Sequence, residues 1–260
     1  DVSDQRVFDE LNNQNFDALI QLAGQSSGEI SFDFPVKDLN SIVVSTLLLL
    51  EYAVHSNCKR FIYASSMSVY GDQPNIQKYS EKDFINPKSF YAVGKLASEK
   101  YMKVYSDQYG SIYTGLRYFN VYGPGQNLSN LRQGMVSIYL KQFIDDAYKS
   151  VEVKGSIERF RDLIYIDDVV NITIDSLNNK HFLNEVINVA TGTKTTVGMI
   201  LKMLKNLLKS DKEIVISSGT IADQFGIYAD VSKLKKIYPN DLISFKNGLK
   251  KMLDSGEYEV

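Results

Sequence analysis

Short apolar segments alternate along this chain with longer stretches of helical periodicity, and that alternation restricts the fold more than any other feature. "ALIQLAG" (18–24) reads as a strand, followed by a helix over about 36–56. "RFIYASS" (60–66) is the next strand, and "FYAVGKLASEKYMKVYSDQYG" (90–110) is a helix that Gly110 stops. "SIYTGLRYF" (111–119) returns to a strand, and "NVYGPGQNLSN" reads as a loop before a helix in "LRQGMVSIYLKQFIDDA". Strand "DLIYI", helix "DDVVNITIDSLNN", strand "EVINVA" and the amphipathic helix "TVGMILKMLKNLLK" follow. The tail adds "EIVIS", "VSKLKKIY" and "LISFKNGLKKML".

Strands separated by helices imply an α/β fold: a Rossmann-like doubly wound parallel sheet with a smaller C-terminal α/β lobe. The expected boundary lies in the 120–130 loop, giving a sheet part over 1–125 and mainly a lobe over 126–260, with segments around 161–190 crossing back. A sheet that binds a dinucleotide opens with a strand, a glycine-rich turn and a helix. No G-x-x-G-x-x-G occurs here, and the first glycine, Gly24, stands at a strand end. The chain therefore opens as though the first strands of the sheet had already passed. Lacking the N–H groups and helix dipole of that turn, it would hold a pyrophosphate weakly.

Composition narrows the partners. A net charge of −2 offers no general attraction for nucleic acid or an anionic membrane. The longest apolar run, "SIVVSTLLLLEYAV", is broken by Ser45, Thr46 and Glu51 and is too short to span a bilayer. The single cysteine, Cys58, excludes an internal disulfide and fits a reducing compartment; with an acidic, polar start, the default location is the cytoplasm. His55 and His181 have no acidic or cysteine cluster beside them, so no metal site is expected.

The chemistry centres on "SFYAVGKLASEKY", where Tyr91 and Lys95 lie four residues apart and share a helical face. A free phenol, with a pKa of roughly 10, is too weakly acidic to act as a base near neutrality. A neighbouring ammonium would lower that value. Ser65, Ser66 and Ser68 sit where a strand meets its loop, the end at which open parallel sheets bind ligands. Two plainer readings stand beside this one. With 17 tyrosines, one Tyr-x-x-x-Lys spacing is expected from composition, and serines after a strand commonly form turns or caps.

Taken together and in order, "LIQLAG", "RFIYASSMSVYGDQP", "SFYAVGKLASEKY", "LRYFNVYGPGQN", "RFRDLIYIDDVV" and "VINVATGTKTTV" resemble the extended short-chain dehydrogenase/reductase superfamily, in its nucleotide-sugar epimerase and dehydratase branch. Within it, "SSMSVYGDQP" is most similar to UDP-glucose (galactose) 4-epimerases. The resemblance implies NAD as cofactor, a UDP-hexose as substrate, C4 epimerisation through a 4-keto sugar, and a homodimer built on the helices around 36–56 and 90–110. It implies Tyr91 as catalytic acid–base, Lys95 as its partner and a ribose contact, and Ser66 as the hydroxyl holding the reacting oxygen, with Ser68 auxiliary. Asp1, Val2, Leu22, Ala23, Gly24, Ala64, Ser65 and Tyr118 would border the cofactor, and Asn120 and Arg161 the substrate. A turn role for Asn120, and an ion pair of Arg161 with Asp162 or Glu158, stand as alternatives.

Three departures bear on the reaction. Ile42 stands where the family usually has an asparagine, leaving Asn40 or Ser41 to substitute. Thr220 replaces an arginine found in many epimerases, with Asp223 and Gln224 nearby as polar candidates. Met67 and Ser68 occupy the places of the Asp-Glu pair that 4,6-dehydratases need, which argues against dehydration, and the loop also lacks the glutamate of UDP-glucuronate decarboxylases. A 4-reductase and a non-catalytic nucleotide-sugar-binding relic remain as other readings.

Overall fold

The computed structural model describes residues 1–11, 14–73, 78–132, 134–218 and 225–257. Thr220, Asp223 and Gln224 lie outside them. Four parallel strands, Ala18–Gln21, Arg60–Ser66, Ile112–Tyr118 and Glu185–Val189, form the main sheet in that spatial order. Phe61, Ile62 and Tyr63 are all fully buried, as a parallel strand covered on both faces requires. The fourth strand comes from the C-terminal half of the chain.

Helix boundaries follow local chemistry. The Phe90–Tyr109 helix starts where the Ser89 hydroxyl accepts from Ala92 N (3.2 Å) and ends at Gly110, whose φ of +70° suits a left-handed cap. The single helix expected over 36–56 is instead three pieces: Pro35–Leu39, a π turn at Asn40–Val44, and Ser45–His55. Two hydroxyls bond back to carbonyls in the wide turn, Ser45 Oγ to Ser41 O (2.7 Å) and Thr46 Oγ1 to Ile42 O (2.6 Å).

Several short strands escape the sequence pattern, Lys78–Tyr79, Thr195–Thr196 and Gly226–Ala229 among them. Part of the expected 120–130 loop is a strand, Asn120–Tyr122, paired in parallel with Leu163–Tyr165. Ser150–Lys154 pairs in parallel with Glu213–Ser217 and buries only Val151 and Val153. Segments this short carry too few alternations to stand out. Around them a second core gathers Leu140, Phe143, Val151, Val153, Ile200, Leu204, Leu249 and Met252, separate from the sheet core of Ile62, Leu116 and Ile187.

Just past the Ser66 strand end, Gly71 has a φ of +66°, and a Cβ there would stand 1.9 Å from the Asn86 carbonyl oxygen. Gly71→Ala thus meets backbone strain and a backbone clash together. We expect it to cost about 2 kcal/mol or more. An unchanged urea midpoint would contradict this.

Candidate active site

The carboxyl end of the Arg60–Ser66 strand and the first two turns of the Phe90–Tyr109 helix bring the central groups together. Ser66 caps the short Met67–Tyr70 turn: its Oγ accepts from Ser68 N (3.2 Å) and donates to Ser68 Oγ (3.1 Å). Lys95 Nζ donates to Ala64 O (2.7 Å) and lies 4.8 Å from the Tyr63 ring centroid and 5.7 Å from that of Tyr91. Tyr91 and Lys95 are 8% and 5% exposed, so both titrate in a desolvated setting.

That burial reverses one expectation. Desolvation is the largest influence on the Tyr91 phenol and pushes its pKa above the ordinary tyrosine value; hydrogen bonding with Ser66 acts the other way, and the Asp38 carboxylate adds to the rise. Burial also lowers Lys95, to about 8, against the opposing pull of Asp38 and Glu99. A lysine lowered on folding leaves the unfolded chain holding more protons between about 8 and the ordinary 10.5, so stability should rise with pH across that window. We expect cofactor-free protein to show this rise in urea titrations and Lys95→Met to lose it. Parallel curves for the two proteins would refute the assignment.

A cleft of about 380 Å³ opens at this point, bordered by Ser66, Tyr91, Lys95, Tyr118 and Asn120. Leu22, Gly24, Ala64, Ser65 and Ser68 also line it. Tyr118 is fixed by a hydrogen bond between its hydroxyl and Thr173 Oγ1 (2.7 Å). Four residues named from the sequence do not border the cleft. Ala23 lies between Leu22 and Gly24, and neighbours in extended chain face opposite ways. The Asp1 carboxylate accepts from Ser3 N (3.0 Å) and Ser3 Oγ (2.9 Å), while Val2 packs on the cluster containing Phe8 and Tyr52. Arg161 sits on the Phe160–Arg161 strand opposite Thr195 and donates to Phe160 O (2.8 Å). Its neighbour Asp162 is buried and accepts from Thr191, Gly192 and Ala229 backbone N–H groups.

No motif reading singled out the rest of the wall, made by Gln25, Ser26, Gly28, Gln126 and Gly134. Gln25 and Ser26 follow the Ala18–Gln21 strand, and Gln126 lies within the "LRYFNVYGPGQN" segment after the Asn120–Tyr122 strand. Arg132 ties the two parts of that wall together by pairing with Glu29 (2.9 Å) and Asp33 (2.8 Å). A larger groove, about 540 Å³, runs between residues 190–195 and 231–245, but it lacks a buried tyrosine–lysine pair.

Behind the serines lies a buried polar network. Ser65 Oγ donates to Glu99 Oε1 (2.5 Å), and Arg117 clasps the same carboxylate through Nε (2.9 Å) and Nη2 (2.7 Å). Arg117 Nη1 donates to Tyr70 OH (2.9 Å), which donates to Asn188 Oδ1 (2.6 Å). Three sheet strands, the Phe90–Tyr109 helix and the turn after Ser66 are thereby locked together. Among the described residues no cluster of metal-ligating side chains occurs, and no helix is long and apolar enough to cross a membrane.

A parallel sheet with a Ser–Tyr–Lys set at its carboxyl ends defines a protein of the short-chain dehydrogenase/reductase type. The chain belongs to the NAD dependent epimerase/dehydratase family, which it matches over residues 1–190. It is 28% identical over 254 residues to a putative UDP-glucose 4-epimerase of Methanocaldococcus jannaschii, covering 98% of this chain and 81% of that protein. The UDP-glucose 4-epimerase of Thermotoga maritima, solved with UDP-glucose, superposes with a TM-score of 0.90 at 30% identity over 97% of this chain and 81% of that one. The Thermus thermophilus UDP-glucose 4-epimerase, solved with NAD, gives 0.85 at 26% identity over 98% and 82%.

NAD is the cofactor of this family. The residues here fit its nicotinamide end: a buried hydroxyl and ammonium face one cleft, and Gly24, at φ +140°, places bare backbone on its edge. The G-x-x-G-x-x-G motif that cradles the pyrophosphate does not occur within these 260 residues.

Proposed function

We propose that this protein epimerises a UDP-hexose at C4 through a transient 4-keto sugar. The observation that carries the reading is the convergence of Ser66, Tyr91 and Lys95 on one cleft. Tyr91 Oη takes the proton of the sugar 4-hydroxyl and later returns it to the keto oxygen. Ser66 Oγ holds that oxygen in line, and the Lys95 ammonium stabilises the phenolate and reaches the cofactor ribose. NAD supplies the acceptor, and then the donor, of the C4 hydride. No net redox change results. Tyr91 begins with a raised pKa, so its deprotonation depends on positive charge arriving beside it in the loaded site.

Dehydration is disfavoured because Met67 cannot act as an acid or base and the Ser68 hydroxyl is engaged with Ser66. In this reading residues 1–125 mainly hold the cofactor and 126–260 the substrate, with Asn120 and Arg161 offered to the nucleotide sugar. Val93, Tyr101 and Val104 share one face of the Phe90–Tyr109 helix and are 52%, 38% and 52% exposed, which supports a homodimer through that face.

The test is to incubate full-length protein with NAD and UDP-glucose and follow the sugar by NMR. UDP-galactose should accumulate to equilibrium without net NADH. A 4-keto-6-deoxy product, or turnover that needs stoichiometric NADH, would overturn the reading.

A further inference from the structure

We infer that Gln126 contacts the hexose, its carboxamide oxygen accepting a hydrogen bond from a sugar hydroxyl, and so helps determine which nucleotide sugar the cleft accepts. The inference rests on the UDP-hexose reading above and extends it to a further residue of the same cleft. Gln126 lies in the loop after the Asn120–Tyr122 strand and lines the cleft shared by Ser66, Tyr91 and Asn120. Its backbone is held by Gly125, which has a φ of +76° and whose N–H donates to Glu257 O (2.6 Å).

The side-chain amide lies close against Gly134. Gly134 has a φ of +86°, and a Cβ there would stand 2.5 Å from Gln126 Nε2 and 2.4 Å from Ser137 Oγ. The chain can close this tightly over the amide only because residue 134 carries no side chain. Yet Gln126 Oε1 is buried without a hydrogen-bond partner, and Asn120 Oδ1 in the same cleft is in the same condition. Leaving two buried acceptors unpaired is costly, and a native site that does so is set up for donors that arrive with a ligand.

The parts of a nucleotide sugar differ sharply as donors. The diphosphate has only acceptor oxygens and cannot satisfy either amide oxygen. The hexose is a ring of hydroxyls, and its reacting carbinol must already sit between Ser66 and Tyr91. Its remaining hydroxyls are donors within reach of the rest of the cleft lining. A site that hydrogen-bonds a hydroxyl discriminates against sugars that lack it or turn it away.

The experiment measures binding of UDP-glucose and of UDP by calorimetry, in NAD-loaded full-length protein carrying Tyr91→Phe to prevent turnover. Gln126→Leu should weaken UDP-glucose roughly tenfold while leaving UDP within about twofold. Gln126→Glu keeps an acceptor oxygen at the same place, so the ratio of the two affinities should stay within about threefold of that with Gln126 intact. Equal weakening of both ligands by Gln126→Leu would place the residue on the nucleotide and overturn the inference. So would no weakening of either, or a Gln126→Glu ratio no better than that of Gln126→Leu. If protein with Gln126 intact binds UDP but gains nothing from the hexose, the UDP-hexose reading itself fails.

Discussion

Tyr91→Phe should lower kcat by about 10²–10⁴-fold while leaving UDP-hexose binding nearly unchanged. The substitution removes one oxygen from a ring that is 8% exposed and packed on Ile42 and Val43, so the fold has little reason to change. What is lost is the group that carries the proton between the 4-hydroxyl and the keto oxygen in the proposed cycle. The pH profile separates this role from a structural one. Burial raises the phenol, so activity in the unsubstituted enzyme should climb with pH on its acidic limb as Tyr91 ionises. The residual activity of the Phe variant should show no such limb. Turnover within a few fold of the unsubstituted enzyme would remove Tyr91 from the chemistry.

Glu99→Ala should produce the largest loss of stability. Glu99 and Arg117 are each 3% exposed and meet through a two-point contact, so removing the carboxylate leaves a guanidinium buried without its counter-charge. Breaking such a pair typically costs about 3–5 kcal/mol. For a chain of this size each kcal/mol lowers Tm by roughly 2–4 °C, which predicts a fall of about 6–20 °C. Ser65 loses its acceptor in the same step, loosening the strand end that presents Ser66. The double replacement Glu99→Leu/Arg117→Met should recover much of the loss, because no unpaired charge remains. A shift of under about 2 °C for the single variant, or a double variant less stable than it, would contradict this account.

Much of the framework was legible because it is written in local periodicity. The Arg60–Ser66 strand and the Phe90–Tyr109 helix fall where apolar runs and the Gly110 stop place them. The break in the expected 36–56 helix was not legible. Ser45 and Thr46 look like ordinary helix residues until their hydroxyls are seen bonded to Ser41 and Ile42 carbonyls. Within the site, the resemblance to a family named Ser66, Tyr91 and Lys95, which line one cleft, together with Asp1, Val2, Ala23 and Arg161, which are not part of its lining.

By itself the sequence determined the order of strands and helices and the one-turn spacing of Tyr91 and Lys95, since both depend on residues close along the chain. Only the tertiary structure decided how those two groups titrate, because burial comes from segments far apart in sequence and outweighs the charge between neighbours. The same holds for the Glu99–Arg117 clasp, formed across 18 positions, and for the wall that carries Gln126. Hydrogen bonding and desolvation act through space, and no pattern along the chain records them.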